Sequence, residues 1–422
     1  MSTNIQKNQI TEGIIWRQLL LFFFPILLGT FFQQLYNTID SVIVGQFVGK
    51  EALAAVGGSS AQIVAFVVGF FTGLSSGASV TIAQFFGAKD SRSANKGLHT
   101  AYAIAAFGGL ILTVSGIILT PFLLEMMNTP ADIVADSAVY LRIYFAGIIF
   151  VLIYNMGSAI LRATGDSKRP LYYLIVCCII NIVLDVLFVI VFHMGVMGVA
   201  VATLIAQAVS AVLVTLKLMR SEGILKLSVK QIRFHGSILK MQLKLGLPTG
   251  FEAILFSITN IAIQSAVNTF GTDTTAAWSA YGKLDAKFFG WSALRFGIAI
   301  TTFVGQNYGA GKNGSRTQKY PRMPSYGFYC FRRTCCLSDR RTIPLFRLFT
   351  NDSHVIEIGC DMLVLITPWY IVYVFIEVIA GALRGVGNVV VPVAITLLGV
   401  CVLRIAWLAA MLKISPTISA II

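Results

Sequence analysis

The residues of this sequence that could do chemistry are acids and polar side chains set inside long apolar stretches. Asp40 lies in QQLYNTIDSVIVG, and Asp185 follows Asn181 by one helical turn in NIVLD. Thr203 lies in the next apolar stretch, and these groups fall roughly 10–12 Å from the predicted outer ends of their segments, at the rise of an α-helix. A proton or Na⁺ would relieve the repulsion between the two carboxylates. The four residues are therefore predicted to form a cation-coupling site, with hydrogen bonding inside the bundle as the alternative.

A second set of polar residues consists of candidates for substrate contact or gating, and structural pairing or packing is the alternative for each. The candidates are Tyr36, Asn37, Asn155, Glu252, Asp285 and Glu377. Glu377 stands where an internal repeat places Asn155, so the two halves of the chain are predicted to differ chemically.

The composition is that of an integral membrane protein. Hydrophobic residues make up 56% of the chain and charged residues 12%, and the mean hydropathy is +0.80. Apolar stretches long enough to cross roughly 30 Å of hydrocarbon recur along the chain. They predict spans near 14–48, 52–86, 97–124, 133–160, 171–192, 196–219, 238–270, 276–306, 354–382 and 393–413. The first span is too long for a signal peptide and is predicted to be retained.

The distribution of basic residues predicts the orientation. Loops after the second, fourth and sixth spans are rich in Lys and Arg, whereas those after the first, third, fifth and seventh hold only Lys50. Excess basic residues mark the cytoplasmic side, so the N-terminus is predicted to be cytoplasmic and the protein to lie in the plasma (inner) membrane. Membrane insertion thus explains the net charge of +14, and we expect no nucleic-acid partner.

Enzyme motifs are not found in the sequence. The seven cysteines show no zinc spacing, and the glycines between Gly305 and Lys312 are mis-spaced for a phosphate-binding loop. No cofactor is expected, and no metal beyond Na⁺ at Asp40 and Asp185. The energy for any transport is therefore predicted to come from an ion gradient.

An internal repeat divides the chain into two similar halves. Gln84-Phe-Phe-Gly87-Ala88 returns 222 residues later as Gln306-Asn-Tyr-Gly309-Ala310, and Leu161-Arg162 returns as Leu383-Arg384. Such duplication in an apolar chain is typical of secondary transporters with two lobes. We predict two pseudo-symmetric six-helix lobes: residues 1–220 as N-lobe, 221–237 as cytoplasmic linker, and 238–422 as C-lobe.

The repeat predicts two helices that the sequence does not supply. The ninth helix should fall near 319–346, but residues 316–341 hold seven basic residues and one acid, too much charge for a span. The 222-residue offset holds on both sides, so compensating frame shifts over about 315–342 are the hypothesis, with a natural cytoplasmic loop as the alternative. A twelfth helix is predicted near 418–441. About 10–11 of twelve helices are therefore expected in this chain.

Several motifs in register resemble the multidrug and toxic compound extrusion (MATE) family over essentially the whole chain. They are Pro25, Asp40, QFFGAKD, LRATGDSKRP, NIVLD, TTFVGQNYGAGK and EVIAGALRGVGN. The resemblance implies a V-shaped antiporter of twelve helices that expels bulky, often cationic compounds against inward H⁺ or Na⁺ flow. It also implies that Asp40, Asn181, Asp185 and Thr203 match the cation site of the family's prokaryotic branch.

The function predicted is efflux of small-molecule drugs or organic cations by alternating access, by a monomer in the lipid bilayer. One alternative is a flippase of lipids or lipid-linked oligosaccharides from the same superfamily. A second is a membrane-embedded enzyme or receptor, for which the sequence offers no motif. A third is the non-functional product of a disrupted gene.

Overall fold

The fold is helical throughout the part of the chain that the structure describes. This computed structural model describes residues 15–271, 273–275, 277–278, 280–282, 290–311, 343–344, 346–347, 352–366, 369–414 and 417. Within them, eight segments are long and apolar enough to cross a membrane, which agrees with the predicted all-α membrane architecture. Asp285, the segment 315–342 and the expected twelfth helix lie outside the described residues.

The first lobe consists of seven α-helices. They are α1 (Ile15–Phe47), α2 (Lys50–Gly57), α3 (Ser59–Gly87), α4 (Ser91–Met126), α5 (Val134–Ala163), α6 (Lys168–Asp185) and α7 (Gly195–Met219). The span predicted over 52–86 is therefore divided into α2 and α3 by Gly58. Two short 3₁₀ turns, Gly223–Leu225 and Val229–Gln231, follow α7 in the linker.

The second lobe contributes six described helices. They are α8 (Gly236–Asn268), α9 (Gly290–Gly309), α10 (Ser353–Ile366), α11 (Tyr370–Gly385), α12 (Val390–Ile395) and α13 (Leu403–Ile414). The span predicted over 354–382 corresponds to α10 and α11, with residues 367–368 between them undescribed. Of the span predicted over 276–306, the structure gives α9 as a continuous helix.

One span in each lobe widens into a π-helix. Residues Val186–Val191 continue α6 in this form, and the amide of Phe192 donates to the carbonyl of Leu187 at 2.9 Å. Thr396–Val402 forms the second π-helix, between α12 and α13. Such widened turns are common at functional sites. Only the first one directly follows an acid, Asp185.

The two ends of the bundle differ in charge. At the end where α3, α5 and α7 finish and α4, α6 and α8 begin, the exposed residues include Lys89, Arg92, Arg169, Arg220 and Lys226; we call this the basic end, and the opposite one the far end. Asp90 caps α4 there, because its Oδ1 accepts from the Ser93 amide at 3.0 Å. Hydrogen bonds from Ser93 hold the pKa of the Asp90 carboxyl below its ordinary value.

Each lobe packs its first helix against the second span of the other lobe. On one side, Leu19, Phe23 and other residues near the start of α1 join the hydrophobic core of the second lobe. The Phe23 ring lies 4.4 Å from the ring of Phe296 on α9, centroid to centroid. This attachment is made by bulky side chains.

The other attachment, between α3 and α8, is made by glycine backbones. Gly73 and Gly77 of α3 lie against Gly250 and Gly246 of α8, so closely that a Cβ at either α3 position would overlap the backbone of α8. Both pairs are spaced four residues apart, the arrangement that lets membrane helices approach closely. The two lobe attachments are therefore related by the repeat but differ in chemistry.

Candidate ion-binding site

The predicted cation-coupling residues come together from three spans of the first lobe. Asp40 of α1, Asp185 and Asn181 of α6, and Thr203 of α7 are all buried, with exposed fractions of 7%, 0%, 1% and 7%. Helical spacing explains the arrangement, since Asn181 and Asp185 are one turn apart on the same face. The sequence prediction of this cluster agrees with the geometry, although its ion-binding role stays a prediction.

The polar side chains of this cluster face one another. Asp40 lies at close range to the side chains of Asp185, Asn181 and Thr203. Yet six atoms are buried with no hydrogen-bond partner within the described part of the chain: Asp40 Oδ1, Asn181 Oδ1 and Nδ2, Asp185 Oδ1 and Oδ2, and Thr203 Oγ1. A buried, unpaired polar atom costs about 1–3 kcal/mol, and more when charged. Burial of these atoms therefore carries a free-energy cost that a bound ion or proton would lower.

An apolar layer separates this cluster from the far end. Val44 of α1, Val189 after α6 and Val199 of α7 are 0%, 3% and 0% exposed and pack in one cluster. Each lies one helical turn beyond Asp40, Asp185 or Thr203 respectively. Packed valines thus lie between the cluster and the far end, and apolar surroundings strengthen electrostatic interactions within the cluster.

On the basic-end side of the cluster, Tyr36 forms a hydrogen bond that the sequence did not predict. Gln207 Nε2 donates to the Tyr36 hydroxyl at 3.1 Å, and both side chains are buried. Gln207 follows Thr203 by one turn, so its position on the same helix face was visible in the sequence. Asn37, by contrast, is exposed and donates to Gln34 Oε1 at 3.4 Å, away from the cluster.

The second lobe contains a buried cluster of one arginine and two glutamates. Arg384 Nη2 donates to both Glu252 oxygens at 3.0 and 3.1 Å, and Arg384 Nη1 lies 3.7 Å from Glu377 Oε2. All three side chains are 13% exposed or less. Glu252 and Glu377 are thus brought together, as candidates for gating, by an arginine that sequence reasoning did not single out. Asn155, the repeat counterpart of Glu377, is half-buried in α5 and lies outside both clusters.

The two lobes are joined at the basic end by a reciprocal pair of hydrogen bonds. Gln84 Nε2 of α3 donates to the Gly385 carbonyl at 2.9 Å, and Gln306 Nε2 of α9 donates to the Ala163 carbonyl at 2.7 Å. Donors and acceptors are both 222 residues apart, so the bonds are related by the repeat. We call these two bonds the glutamine latch.

Glycines allow the two latch helices to approach. A Cβ at Gly87 would overlap the Gln306 carbonyl, and a Cβ at Gly309 would overlap the Gln84 carbonyl. Only glycine fits at both places, because the backbones of α3 and α9 touch there. The Gln-x-x-Gly motif is therefore repeated because its two copies, Gln84–Gly87 and Gln306–Gly309, pack against each other.

Each half of the repeat also matches a model of a known protein family. A single family model, MatE, matches residues 25–187 and again residues 248–408. The chain belongs to the MatE family. One matched region falls within each predicted lobe, and the match confirms the resemblance drawn from the motifs.

Similar MatE proteins are known from bacteria. The chain is 29% identical over 395 residues to a probable multidrug resistance protein, YoeA, of Bacillus subtilis, covering 92% of this chain and 84% of that protein. It is 32% identical over 308 residues to YpnP of the same species, covering 73% and 68%. It is 27% identical over 420 residues to NorM of Thermotoga maritima, covering 97% and 88%. All three are named as probable multidrug resistance proteins, which agrees with the prediction of a transporter and not of an enzyme.

Solved structures confirm the two-lobed fold. The structure titled as the outward-facing conformation of a multidrug resistance MATE family transporter matches with a TM-score of 0.91 at 21% identity, covering 100% of this chain and 94% of that one. A MATE structure in the straight conformation matches with a TM-score of 0.90 at 21% identity, covering 99% and 93%. The MatE fold therefore extends over the described residues of both lobes.

Proposed function

We propose that this MatE protein is a secondary active efflux antiporter that exports drugs and organic cations in exchange for H⁺ or Na⁺. The observation that carries the proposal is the set of six buried, unpartnered polar atoms around Asp40 and Asp185. The names of the relatives in Bacillus subtilis and Thermotoga maritima support drug transport as the outcome.

The cluster suits a small cation by the chemistry of its atoms. Carboxylate, amide and hydroxyl oxygens are hard ligands, and Asp40, Asp185, Asn181 and Thr203 offer all three kinds. A single proton would serve as well, since it converts one carboxylic acid into a donor for the other carboxylate. Either ion removes the repulsion that two buried carboxylates impose.

Ion binding would be coupled to the lobes through α1. Asp40 lies on the half of α1 near the far end, while Leu19 and Phe23 attach the other half to the second lobe. An ion that draws Asp40 towards α6 and α7 favours one packing of α1 over another, and only such a differential interaction can shift a conformational equilibrium. Release of the ion would favour the other packing.

Alternating access requires the glutamine latch to open. By the distribution of Lys and Arg, we place the basic end in the cytoplasm and the protein in the cytoplasmic membrane, with the N-terminus inside. The latch of Gln84 and Gln306 then closes the cytoplasmic side in the conformation described here. Substrate uptake from the cytoplasm would need both bonds to break and the lobes to rock apart. The lobe limits at 220 and 238, and the monomeric state, stay predictions.

Paired acids in the first lobe favour ion-coupled efflux over the flippase alternative, because a coupling cation would relieve the repulsion between them. The test uses the full chain in liposomes, with dye export driven in turn by an imposed pH gradient and an imposed Na⁺ gradient. Asp40→Asn and Asp185→Asn should each abolish gradient-driven export, whereas Asp136→Asn, at an exposed acid of α5, should not.

Normal export by both variants would refute the coupling site. Export that fails in the unaltered chain under both gradients would instead favour the disrupted-gene alternative. The gradient that drives export identifies the ion.

A further inference from the structure

The linker between the lobes is fastened to the first lobe by side chains of α4. Asn95 Nδ2 donates to the carbonyls of Ile224 and Lys226, both at 3.1 Å. The amide of Ser228 donates to His99 Nε2 at 3.1 Å. These bonds hold successive linker residues against α4, so the linker is a fixed surface of the protein.

The outer side of this linker combines basic and apolar side chains. Lys226, Lys230 and Arg233 are exposed. Val229, directly before Lys230, is 61% exposed, and Phe234, directly after Arg233, is 46% exposed. Exposed apolar residues interleaved with cations are typical of segments that lie in a membrane interface.

Phe234 places the end of the linker at the edge of the lipid-facing surface. Its ring packs edge-on against the Phe107 ring of α4 at 6.0 Å between centroids. Phe107 is 57% exposed and begins an apolar stripe along the same helix: Leu110, Ile111, Val114, Ile118 and Phe122. In a membrane-spanning helix such a stripe faces hydrocarbon, so Phe234 lies where the lipid tails begin.

The charge of this region matches an anionic partner. Between Lys217 and Lys244 the sequence has seven basic residues and one acid, Glu222. Clusters of this size beside a membrane helix attract the anionic headgroups of the adjacent leaflet. Nucleic acid would also be attracted by the positive charge, but it has no acyl chains that could pack against Val229 and Phe234.

We propose that the linker surface of residues 226–234 is a docking site for anionic phospholipid, with headgroup phosphates on Lys230 and Arg233 and acyl chains around Val229 and Phe234. The site requires only that the chain spans a membrane, and it is independent of the coupling ion. Because the linker joins α7 to α8, a bound lipid would contact the chain at the one connection between the lobes within the described residues.

The test measures phosphatidylglycerol and phosphatidylcholine bound to the full-length protein by native mass spectrometry. Lys230→Gln/Arg233→Gln should lower phosphatidylglycerol affinity at least about tenfold, since each basic residue near an anionic surface contributes about fivefold. Phosphatidylcholine binding should not change. The matched control is Lys50→Gln/Lys413→Gln, which removes two exposed charges at the far end and should leave phosphatidylglycerol affinity unaltered.

A second variant addresses the apolar half of the site. Phe234→Ser should weaken phosphatidylglycerol severalfold without affecting glycerophosphoglycerol, the same headgroup without acyl chains. An equal loss of phosphatidylglycerol affinity in Lys230→Gln/Arg233→Gln and in Lys50→Gln/Lys413→Gln would overturn the proposal. So would glycerophosphoglycerol binding as tightly as the lipid, or a short RNA that binds more tightly than the lipid and depends on Lys230 and Arg233.

Discussion

Gln84 and Gln306 occupy the same place in the two halves of the chain, and each donates a hydrogen bond to the opposite lobe. The acceptors are the carbonyls of Gly385 and Ala163, at 2.9 and 2.7 Å. Inside each lobe the same rule holds: Ser79 donates to Ala159, and 222 residues later Thr301 donates to Gly381. The repeat is thus a symmetry of bonds as well as of sequence.

Loss of the glutamine latch should loosen the basic end of the molecule. Gln84→Leu/Gln306→Leu removes two inter-lobe hydrogen bonds, each of which contributes about 0.5–1.5 kcal/mol. Hydrogen exchange should therefore rise near the ends of α3 and α9, as measured by mass spectrometry on the purified protein. Gln62→Leu, at an exposed glutamine of α3, is the control. Unchanged exchange at both helix ends would show that the latch does not hold the lobes.

A side chain in the glycine contact between α3 and α8 should destabilise the protein. The Cβ of Gly77→Ala would overlap the backbone of Gln242 and Gly246, and overpacking of this kind costs about 1–3 kcal/mol. The melting temperature in detergent should fall. Gly236→Ala is the control, because no described atom lies within 4 Å of its added Cβ. Equal melting temperatures of Gly77→Ala and Gly236→Ala would show that α3 and α8 can move apart at this contact without loss of stability.

Removal of Arg384 should be more damaging than removal of an exposed arginine. Arg384→Gln leaves Glu252 and Glu377 buried without their cation, which costs about 3–5 kcal/mol. Arg169→Gln breaks the exposed ion pair with Asp166, 2.6 Å long, and should cost less than about 1 kcal/mol. Thermal unfolding compares the two. If Glu252→Gln/Arg384→Gln is no more stable than Arg384→Gln alone, the penalty does not come from the unpaired Glu252 carboxylate.

Thr203 should matter more for Na⁺ than for H⁺. Thr203→Val keeps the shape of the side chain but removes a hydroxyl oxygen that a metal ion could bind, whereas a proton needs only a carboxylate. If Na⁺ is the coupling ion, the Na⁺ concentration for half-maximal transport should rise roughly tenfold. Thr249→Val is the control, since its hydroxyl donates to the Leu245 carbonyl in α8. Unchanged Na⁺ dependence would exclude the hydroxyl from the ion site.

The docking of the linker should weaken in acid through His235. Burial, followed by the charges of Arg233, Lys96 and His99, lowers the pKa of this residue. The docked state therefore favours neutral His235, and its stability falls as the pH drops below the ordinary histidine pKa of about 6.5. Protection factors for hydrogen exchange over residues 224–235, which correct for the intrinsic effect of pH on exchange, should be lower at pH 5.5 than at pH 8.

The matched variant for this prediction is His235→Gln, which keeps a polar side chain at the position and removes its titration. In this variant, the protection factors of the linker amides should depend less on pH than they do in the unaltered chain. An identical pH dependence would show that the effect does not come from His235.

The clustering of Asp40, Asn181 and Asp185 could be predicted because its signal is local. Acids within apolar helices are rare, and Asn181 and Asp185 share a face by spacing alone. The same rule fails for Asn37, which lies three residues before Asp40 and turns outwards, whereas Tyr36, one residue earlier, turns in.

Partners distant in sequence were not predictable. Glu252 and Arg384 are 132 residues apart, and their contact depends on how α8 and α11 meet. The repeated glutamines were visible as a motif, but their acceptors are backbone carbonyls, which carry no sequence signal. Pairing across lobes is therefore information that only the tertiary structure contains.

The unequal attachments of the two lobes have a consequence for where motion can occur. The backbones of α3 and α8 touch at Gly73 and Gly77 and leave little room for sliding, so we expect the α3–α8 contact to act as the hinge between the lobes. The rings of Phe23 and Phe296 are joined to their helices by rotatable bonds, so we expect motion between the lobes at the α1–α9 contact. Asp40 is thus carried by α1, the helix at the contact where we expect the lobes to move apart.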